Sequence, residues 1–305
     1  MRSITIDNVD ITLSRPLNKE VEWIGQSEAE RQVQACWLSV HEKDLPLTPR
    51  IIGHPGVGKT TLAIAAAQKR GQDVYILQCT SDTRPEDLLI TPVLSNSGKI
   101  SYHASPLLSA VVTGGVAVLD EGNRMAEKSW ASLTGLFDNR RRVESVVAGI
   151  TIEADSGFRA AVTMNEDEST FEIPDYIMSR LQPGIEVGFP DQEDEMRILS
   201  YSLPFSDKEV LSICVDFLQK AHSLDLPYSV RDGIHAVSYT LKQKKADPGK
   251  ETENLFEQSV KQILGEEALD LEGLAKRRSK GSDDSRGMHL GDFFFPEDDP
   301  LNPDS

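Results

Sequence analysis

The chain has 305 residues, a length that suggests about two domains at roughly 150 residues each. Hydrophobic residues make up 39% and charged residues 27%, close to the globular average, which excludes a wholly disordered or fibrous chain. Acidic residues number 49 against 32 Lys and Arg, for a formal net charge of −17. Such a surface repels phosphate backbones, so a general nucleic-acid binder is excluded unless basic residues are concentrated in one place.

The cysteines and the N-terminus bear on the cellular compartment. Cys36, Cys79 and Cys214 lie far apart, with neither the CxxC spacing of a metal site nor the even count of a disulfide framework. A reducing compartment is the simplest interpretation, and we expect a cytoplasmic protein. The first 15 residues alternate apolar and polar side chains without an apolar stretch of signal-peptide length, so we expect no export and no membrane insertion.

The N-terminal region is predicted to precede the main domain. Apolar positions alternating through residues 1–20 predict one or two edge strands. From Ser27 to Val40 apolar residues recur at helical spacing, which predicts a helix. Ser27 is its expected N-cap, with Glu30 three residues later completing a capping box.

The central part of the chain alternates short apolar runs with helical patterns. The runs lie at Ile51 and Ile52 and at residues 73–78, 116–120, 158–164 and 184–189. This alternation predicts an α/β domain at 21–190, a three-layer αβα sandwich with a parallel sheet covered on both faces.

After Pro190 the pattern changes to four helical segments without an intervening strand, which predicts a small all-helical domain at 191–275. Residues 276–305 are expected to form an acidic disordered tail. Its last 25 residues carry seven acids and one base, Arg286, a net charge of −6.

A phosphate-binding motif lies between the first predicted strand of the sheet and the helix that follows it. Residues 53–60, GHPGVGKT, match G-x-x-x-x-G-K-[ST] in the context that the motif requires. Glycines let backbone N–H groups converge on phosphate oxygens, and the positive end of the helix adds to the attraction. Lys59 is expected to reach the β- and γ-phosphates of ATP, and the Thr60 hydroxyl to ligate Mg²⁺. The predicted ATP-binding positions here are Gly53, Pro55, Gly56, Val57, Gly58, Lys59, Thr60 and Thr61.

Two acids end the buried strand VAVLDE, about 60 residues after this motif. Open α/β sheets bind ligands at the carboxyl ends of their strands. Asp120 is therefore predicted to belong to the outer shell of the Mg²⁺ that Thr60 ligates. Glu121 is predicted to orient and polarise the attacking water. Two acids at a strand end are on their own more often a solvated turn, and it is the position downstream of a P-loop that favours the catalytic interpretation.

These residues resemble an AAA+ ATPase over nearly the whole of 21–275, and within that class the MoxR family and its dynein-related AAA relatives. The resemblance rests on IGQSEAERQVQA, GHPGVGKTT, LLITPVLSNSGKISYHASPLLSAVVTGG, VAVLDEGNR and DNRRRVESVVAGITIEADSGFRAAVTMN. In the family the third segment carries an insertion beside the second helix. The last segment forms a β-hairpin before the strand called sensor 1.

The resemblance implies roles for further residues. Asn165 resembles the sensor 1 residue that helps to hold the attacking water, and Arg180 resembles the arginine finger that reaches the γ-phosphate of a neighbouring subunit. Arg231 resembles sensor 2 on a helical lid, in a helix that Ser229 could cap. Asn123 and Arg124 match the pair that follows the two acids in the family.

The sequence also departs from the family pattern. Gly122 and Leu181 replace an aliphatic residue and a Phe, respectively, and Asn165 lacks the usual Gln before it and Pro after it. None of these changes removes a charged catalytic group. Arg180 and Arg231 each keep a simpler interpretation as surface arginines.

Three other features have structural interpretations beside functional ones. His54 occupies a variable position of the P-loop, where a solvent-facing spacer is favoured over a catalytic base. For the basic run at residues 140–142, a solvated hairpin start or an intersubunit contact is favoured over a nucleic-acid site. Phe293, Phe294 and Phe295, in the acidic tail, could dock on a partner or pack on their own domain.

The leading hypothesis is an Mg²⁺-dependent ATPase that forms a ring, by resemblance a hexamer, and remodels or activates a protein client. By the same resemblance the first candidate client is a von Willebrand factor A domain protein. A nucleic-acid-directed motor of the same fold is the second hypothesis, which the net charge disfavours. An ATP-gated scaffold with little turnover is the third.

Overall fold

The computed structural model describes residues 2–94, 98, 100–165 and 173–284, the last seven of these by their backbone alone. The chain divides into two compact units, Met1–Pro190 and Asp191–Ser305. Within the described residues the strands are β1 (Ser3–Ile6), β2 (Val9–Thr12), β3 (Arg50–Gly53), β4 (Val74–Gln78), β5 (Ile90–Leu94), β6 (Ile100–Ala104), β7 (Val116–Asp120), β8 (Arg142–Ser145), β9 (Ile150–Glu153), β10 (Arg159–Asn165) and β11 (Gly184–Glu186). The helices of the first unit are α1 (Ser27–Cys36), α2 (Lys59–Lys69), α3 (Pro85–Leu88), α4 (Pro106–Thr113), α5 (Glu127–Leu133) and α6 (Asp175–Met178).

A parallel sheet forms the centre of the first unit. In the described part of the chain its strand order is β11-β3-β10-β7-β4, and every neighbouring pair runs parallel. The five predicted strand runs are these five strands, so the predicted α/β fold is confirmed. Because all of them run parallel, their carboxyl ends meet at one edge, which carries the P-loop after β3 and the acids after β7.

Helices cover both faces of this sheet, which confirms the predicted three layers. Successive side chains of β7 point to opposite faces, as strand geometry requires. Val116 and Val118 join a core with α1 and α2, whereas Ala117 and Leu119 join a core with α4 and α5. Because both of its faces are covered, β7 is apolar from Val116 to Leu119, which explains the continuous apolar run there.

The predicted capping of the first helix is wrong. Helix α1 begins at Ser27, and its N-cap is Gln26, which has left-handed backbone angles (φ 36°) and no side-chain cap. The helix ends at Cys36 rather than continuing to Val40. Trp37 is fully buried beyond that end, and its indole N–H donates to the Ala160 carbonyl at 2.9 Å, which holds this part of the chain against the sheet.

The N-terminal strands belong to a second sheet. β1 and β2 form an antiparallel hairpin, and β2 pairs in parallel with β6 of the hairpin β5–β6. Ile11 is 1% exposed at this junction. Ser14 fixes the segment that follows, since its N–H donates to Ser109 Oγ and its Oγ to the Ala104 carbonyl, both at 2.8 Å. The predicted edge strands therefore extend the insertion that the family resemblance implied.

A two-stranded hairpin, β8–β9, precedes the strand that carries Asn165. Val143 and Ile152 are each 2% exposed on its inner face. The hairpin that the resemblance implied before sensor 1 is present.

The second unit contains helices α7 (Gln192–Ser202), α8 (Lys208–Ser223), α9 (Val230–Ala246), α10 (Thr252–Leu264) and α11 (Leu271–Asp284), with a 3-10 turn at Glu266–Leu269. Ser229 is the N-cap of α9, as the sequence predicted. The Asp232 carboxylate accepts from the Ser229 backbone N–H and from its hydroxyl, both at 2.8 Å. Within the described ranges, no helix is long and apolar enough to cross a membrane.

Helix α11 continues to Asp284, beyond the boundary predicted at 275. In its first turn, Leu271 and Leu274 pack in one cluster with Ala221 and Leu226. Phe293 to Phe295 lie outside the described residues.

Candidate nucleotide and magnesium site

The P-loop connects β3 to α2, and its glycines are required by its geometry. Gly56 (φ 86°) and Gly58 (φ 98°) adopt left-handed angles that side chains disfavour. A Cβ on Gly53 would lie 2.2 Å from the Val187 carbonyl oxygen, and one on Gly58 would lie 3.1 Å from the Trp23 ring. The loop therefore needs glycine for both its turn and its close packing.

The other motif residues fall into two groups. Pro55 is exposed and Thr61 half-buried, whereas Val57 is buried in the core beneath α2. The helix begins at Lys59, so its positive end faces the loop.

Lys59 lies inside the loop, with 6% of the residue exposed. Its ammonium donates to the Gly53 and His54 carbonyls, both at 2.8 Å. These contacts hold a positive charge against the turn that the motif predicts to cradle phosphate. Phosphate oxygens would be stronger, charge-assisted acceptors for the same group.

Asp120 links the P-loop helix to two strands of the sheet. Its Oδ1 accepts from the Thr60 hydroxyl at 2.5 Å and from the Thr163 hydroxyl at 2.6 Å. A carboxylate beside a hydroxyl supplies the hard oxygen ligands that Mg²⁺ prefers. The donor set therefore fits Mg²⁺, and Thr60 and Asp120 are the residues that would hold it.

Glu121 directly follows Asp120 and has a strained backbone. Its φ of 55° and ψ of 45° are left-handed angles that a residue other than glycine rarely adopts, and such residues concentrate at functional sites. Its carboxylate is half-exposed and contacts three donors. Asn165 Nδ2 lies 3.2 Å from Oε1, while Gln78 Nε2 at 3.2 Å and Arg124 Nε at 2.8 Å contact Oε2.

Asn165 is held in place by a side chain of the turn that follows Glu121. The Asn123 side-chain amide donates to the Asn165 carbonyl at 2.8 Å, and its oxygen accepts from the Asn165 N–H at 3.4 Å. Asn123 is 7% exposed. The turn after β7 thereby sets the end of β10.

Two departures from the family pattern have local explanations. A Cβ on Gly122 would lie 2.4 Å from Val162 Cγ1 and 3.1 Å from the Trp130 ring, so an aliphatic side chain has no room there. Leu181 is fully buried, and its carbonyl accepts from Arg50 Nη1 at 2.7 Å.

The structure brings Lys59, Thr60, Asp120, Glu121 and Asn165 to one edge of the sheet. Two further members of this cluster, Thr163 and Gln78, were not predicted from the sequence. Their positions in the sequence could have indicated this role. Thr163 lies two residues before Asn165 on the same strand, and Gln78 is the last residue of β4, the strand beside β7.

Arg180 lies outside this cluster. Arg180 donates to the Tyr176 carbonyl, and its Nη2 lies 3.7 Å from Asp138 Oδ2. The pKa of Asp138 is lowered to about 2, chiefly by its hydrogen bond from Arg140. Arg231 is exposed in the first turn of α9, in the second unit.

The remaining singled-out residues have structural contacts. His54 is half-buried, and its ring stacks on Phe189 with centroids 5.2 Å apart, so it is partly shielded from solvent. In the basic run, Arg140 pairs with Asp138 at 2.7 Å, and Arg142 lies 3.8 Å from Glu144.

The chain is similar to one family of domains and to several known proteins. Residues 50–181 match the model of the AAA domain, dynein-related subfamily. The denitrification regulatory protein NirQ of Pseudomonas aeruginosa is 26% identical over 156 residues, 48% of this chain and 56% of NirQ. An uncharacterized protein of Staphylococcus saprophyticus is 26% identical over 117 residues, 37% of this chain and 44% of that protein. The chain thus spans about half the length of these curated relatives.

A solved structure of a RuvB mutant from Thermotoga maritima has a TM-score of 0.54 at 13% identity, over 78% of this chain and 69% of that one. That likeness concerns the fold alone. The fold, the P-loop and this family match together indicate an AAA+ P-loop domain in the first unit, with residues 50–181 similar to the dynein-related subfamily.

Proposed function

We propose that this chain is an Mg²⁺-dependent ATPase of the MoxR type, which assembles into a hexameric ring in the cytoplasm and uses ATP hydrolysis to remodel or activate a protein client. The observation that carries the proposal is the convergence of Asp120, Glu121 and Asn165 beside Thr60 and Lys59. A binding loop, a magnesium donor set and a held carboxylate at one edge are the parts that phosphoryl transfer to water requires.

Each group has a separate task in this proposal. Lys59 would neutralise phosphate charge, and Thr60 and Asp120 would hold the metal. When bound, Mg²⁺ neutralises charge on the phosphate oxygens. Glu121 would accept a hydrogen bond from the attacking water and orient it, with its own position fixed by Asn165 and Arg124.

The test of binding uses a fluorescent ATP analogue titrated against the full chain, with and without Mg²⁺. Lys59→Ala is expected to weaken binding by about tenfold or more, because it removes the buried cation from the loop. The exposed Lys43→Ala is the matched control and should leave the Kd unchanged. Equal Kd values for wild type and Lys59→Ala would refute the proposed site.

The ring is supported by the position of Arg180, which lies apart from the cluster of its own chain and could serve a neighbouring site. Arg180 would stabilise the charge that develops on the transferring phosphoryl group. Mixing provides the test, because an Arg180→Ala subunit keeps its own P-loop and a Lys59→Ala subunit keeps its arginine. Activity recovered on mixing these two inactive variants supports action between subunits, and no recovery at any ratio opposes it.

A protein client is favoured over nucleic acid by the contacts of the basic run at residues 140–142. Arg140 and Arg142 face carboxylates of their own chain, so two of the three arginines in the run already have acidic partners. By family resemblance, the first candidate client is a von Willebrand factor A domain protein. The protein that co-purifies with a Glu121→Gln trap in ATP identifies the client. Salt-sensitive DNA binding with DNA-stimulated ATP turnover would instead favour a nucleic-acid motor.

A further inference from the structure

A second concave surface lies in the first unit, beside Arg180. It is a cleft of about 180 Å³ between residues 45–48 and the segment that leads into the hairpin β8–β9. We call it the arginine cleft. Its lining combines Leu45, Leu47 and Phe158 with Arg141, Arg159 and Arg180.

Arg159 gives the cleft a buried positive charge. The residue is 8% exposed, and its guanidinium donates to the backbone carbonyls of Trp37 at 2.8 Å and of Ser156 and Phe158 at 2.9 Å. Burial lowers the pKa of Arg159, and the nearby charges of Arg70 and Arg141 lower it further. These carbonyls accept from Nε and Nη1 without neutralising the charge, so a carboxylate would be stabilised there.

The other two arginines leave the cleft with excess positive charge. Arg141 donates to the Phe158 carbonyl at 3.0 Å, and burial lowers its pKa more than Asp155 raises it. Neither Arg141 nor Arg159 has an ion pair within 4.0 Å in the described part of the chain. The cleft's own carboxylate, Asp138, is already shared by Arg140 and Arg180.

The lining also includes apolar side chains, two of which are exposed. Leu45 is 40% exposed and Leu47 is 53% exposed, while Phe158 is almost fully buried. Apolar side chains beside cations suit a ligand that has aromatic rings flanked by carboxylates.

We propose that the arginine cleft binds residues 291–299 of this chain, GDFFFPEDD. This segment places Phe293 to Phe295 between Asp292 and the acids Glu297, Asp298 and Asp299, and no Lys or Arg occurs from 287 to 305. It therefore complements both the charge and the apolar side chains of the cleft. Six residues separate it from the end of α11.

The test measures the anisotropy of a fluorescein-labelled peptide of residues 288–302. The partner is the full chain with Phe293, Phe294 and Phe295 replaced by Ser, so that its own segment does not compete. We expect saturable binding whose Kd rises about tenfold or more on adding Leu47→Glu, which places an acid in the cleft, or on replacing the three Phe of the peptide with Ser. Val40→Glu, on a side chain that is 89% exposed and does not line the cleft, should leave the Kd within about twofold.

Thermal unfolding of Leu47→Glu checks that the variant folds, and Leu45→Ser provides a second cleft variant if it does not. The proposal is overturned if the peptide does not bind, or if it binds equally well to the cleft variants. It is also overturned if Leu47→Glu changes only the sedimentation of the chain, since a second copy would then cover the cleft. Because none of these readouts uses ATP turnover, failure here is distinct from failure of the proposed ATPase.

Discussion

The side-chain amide of Asn165 lies 3.2 Å from Oε1 of Glu121, and so joins the ends of two adjacent parallel strands. The contact brings the proposed water-orienting carboxylate and an amide that can also face the water into one unit. In the turn after β7, Arg124 contacts Glu121 and Asn123 contacts Asn165. The pairing of β7 with β10 sets the spacing between the two residues.

Replacing Asn165 with Ala is expected to lower kcat for ATP hydrolysis by about 10- to 100-fold, because Glu121 loses a positioning donor. The Kd for nucleotide should change little, since Asn165 is not part of the P-loop. Steady-state turnover with a separate binding titration measures both. Asn254→Ala, on an exposed side chain that contacts Glu251, is the matched control. A rise in Kd without a fall in kcat would contradict the assigned role.

Thr163→Val preserves shape but removes the hydroxyl that donates to Asp120 and accepts from the Glu121 N–H at 2.9 Å. Because Thr163 is 1% exposed, the partners left behind are buried, and we expect a loss of about 1 to 3 kcal/mol in the free energy of unfolding. Urea denaturation measures the loss, with Thr134→Val as the control near the surface. An unchanged midpoint would show that the hydroxyl is not structurally important.

Gly122→Ala tests the packing explanation for the departure from the family pattern. Its Cβ would lie 2.4 Å from Val162 Cγ1, so the variant should lose about 1 to 3 kcal/mol through overpacking. Gly249→Ala, whose nearest neighbour would be 4.0 Å away, should cost much less. Similar midpoints for the two variants in denaturant would refute the steric argument.

Glu195 predicts a pH dependence for the second unit. The side chain is fully buried in α7, and burial raises its pKa to about 7, although a hydrogen bond from Gln219 at 2.9 Å acts in the opposite direction. A raised folded-state pKa means that the folded chain holds this proton more tightly than the unfolded chain. The stability contribution is therefore complete below about pH 4.5 and is lost as the pH rises to about 7.

We expect Glu195→Gln to remove this dependence and to stabilise the chain by about 2 kcal/mol at pH 8 relative to wild type. Denaturation at several pH values measures the effect on the transition of the second unit, and the exposed Glu193→Gln is the control. Equal pH profiles for wild type and Glu195→Gln would contradict the assignment.

The sequence predicted the features that depend on local pattern. The apolar runs gave the parallel strands, the glycine spacing gave the P-loop, and the strand ending in Asp120 and Glu121 gave the acids of the site. Contacts between distant segments could not be predicted, because they have no local sequence pattern. The pairing of β2 with β6 joins residues about 90 positions apart, and the close approach of Val162 to Gly122 depends on how two strands pack.

The partners of the site's side chains could not be predicted from the sequence pattern either. Gln78 and Thr163 belong to the site because β4 and β10 flank β7 in the sheet. Likewise, the left-handed Gln26 replaced the expected Ser27 cap because the chain enters α1 through a turn at Gly25, which has a φ of 77°.

The central claim is that Glu121 activates water for ATP hydrolysis at this site. The most direct measurement is ATP turnover by Glu121→Gln at protein concentrations that support assembly, with nucleotide binding measured on the same sample and exposed Glu42→Gln as the control. We predict that Glu121→Gln binds ATP with nearly the wild-type Kd and loses about 100-fold or more in kcat, because the neutral amide cannot accept the proton of the water. Wild-type turnover in Glu121→Gln would contradict the claim.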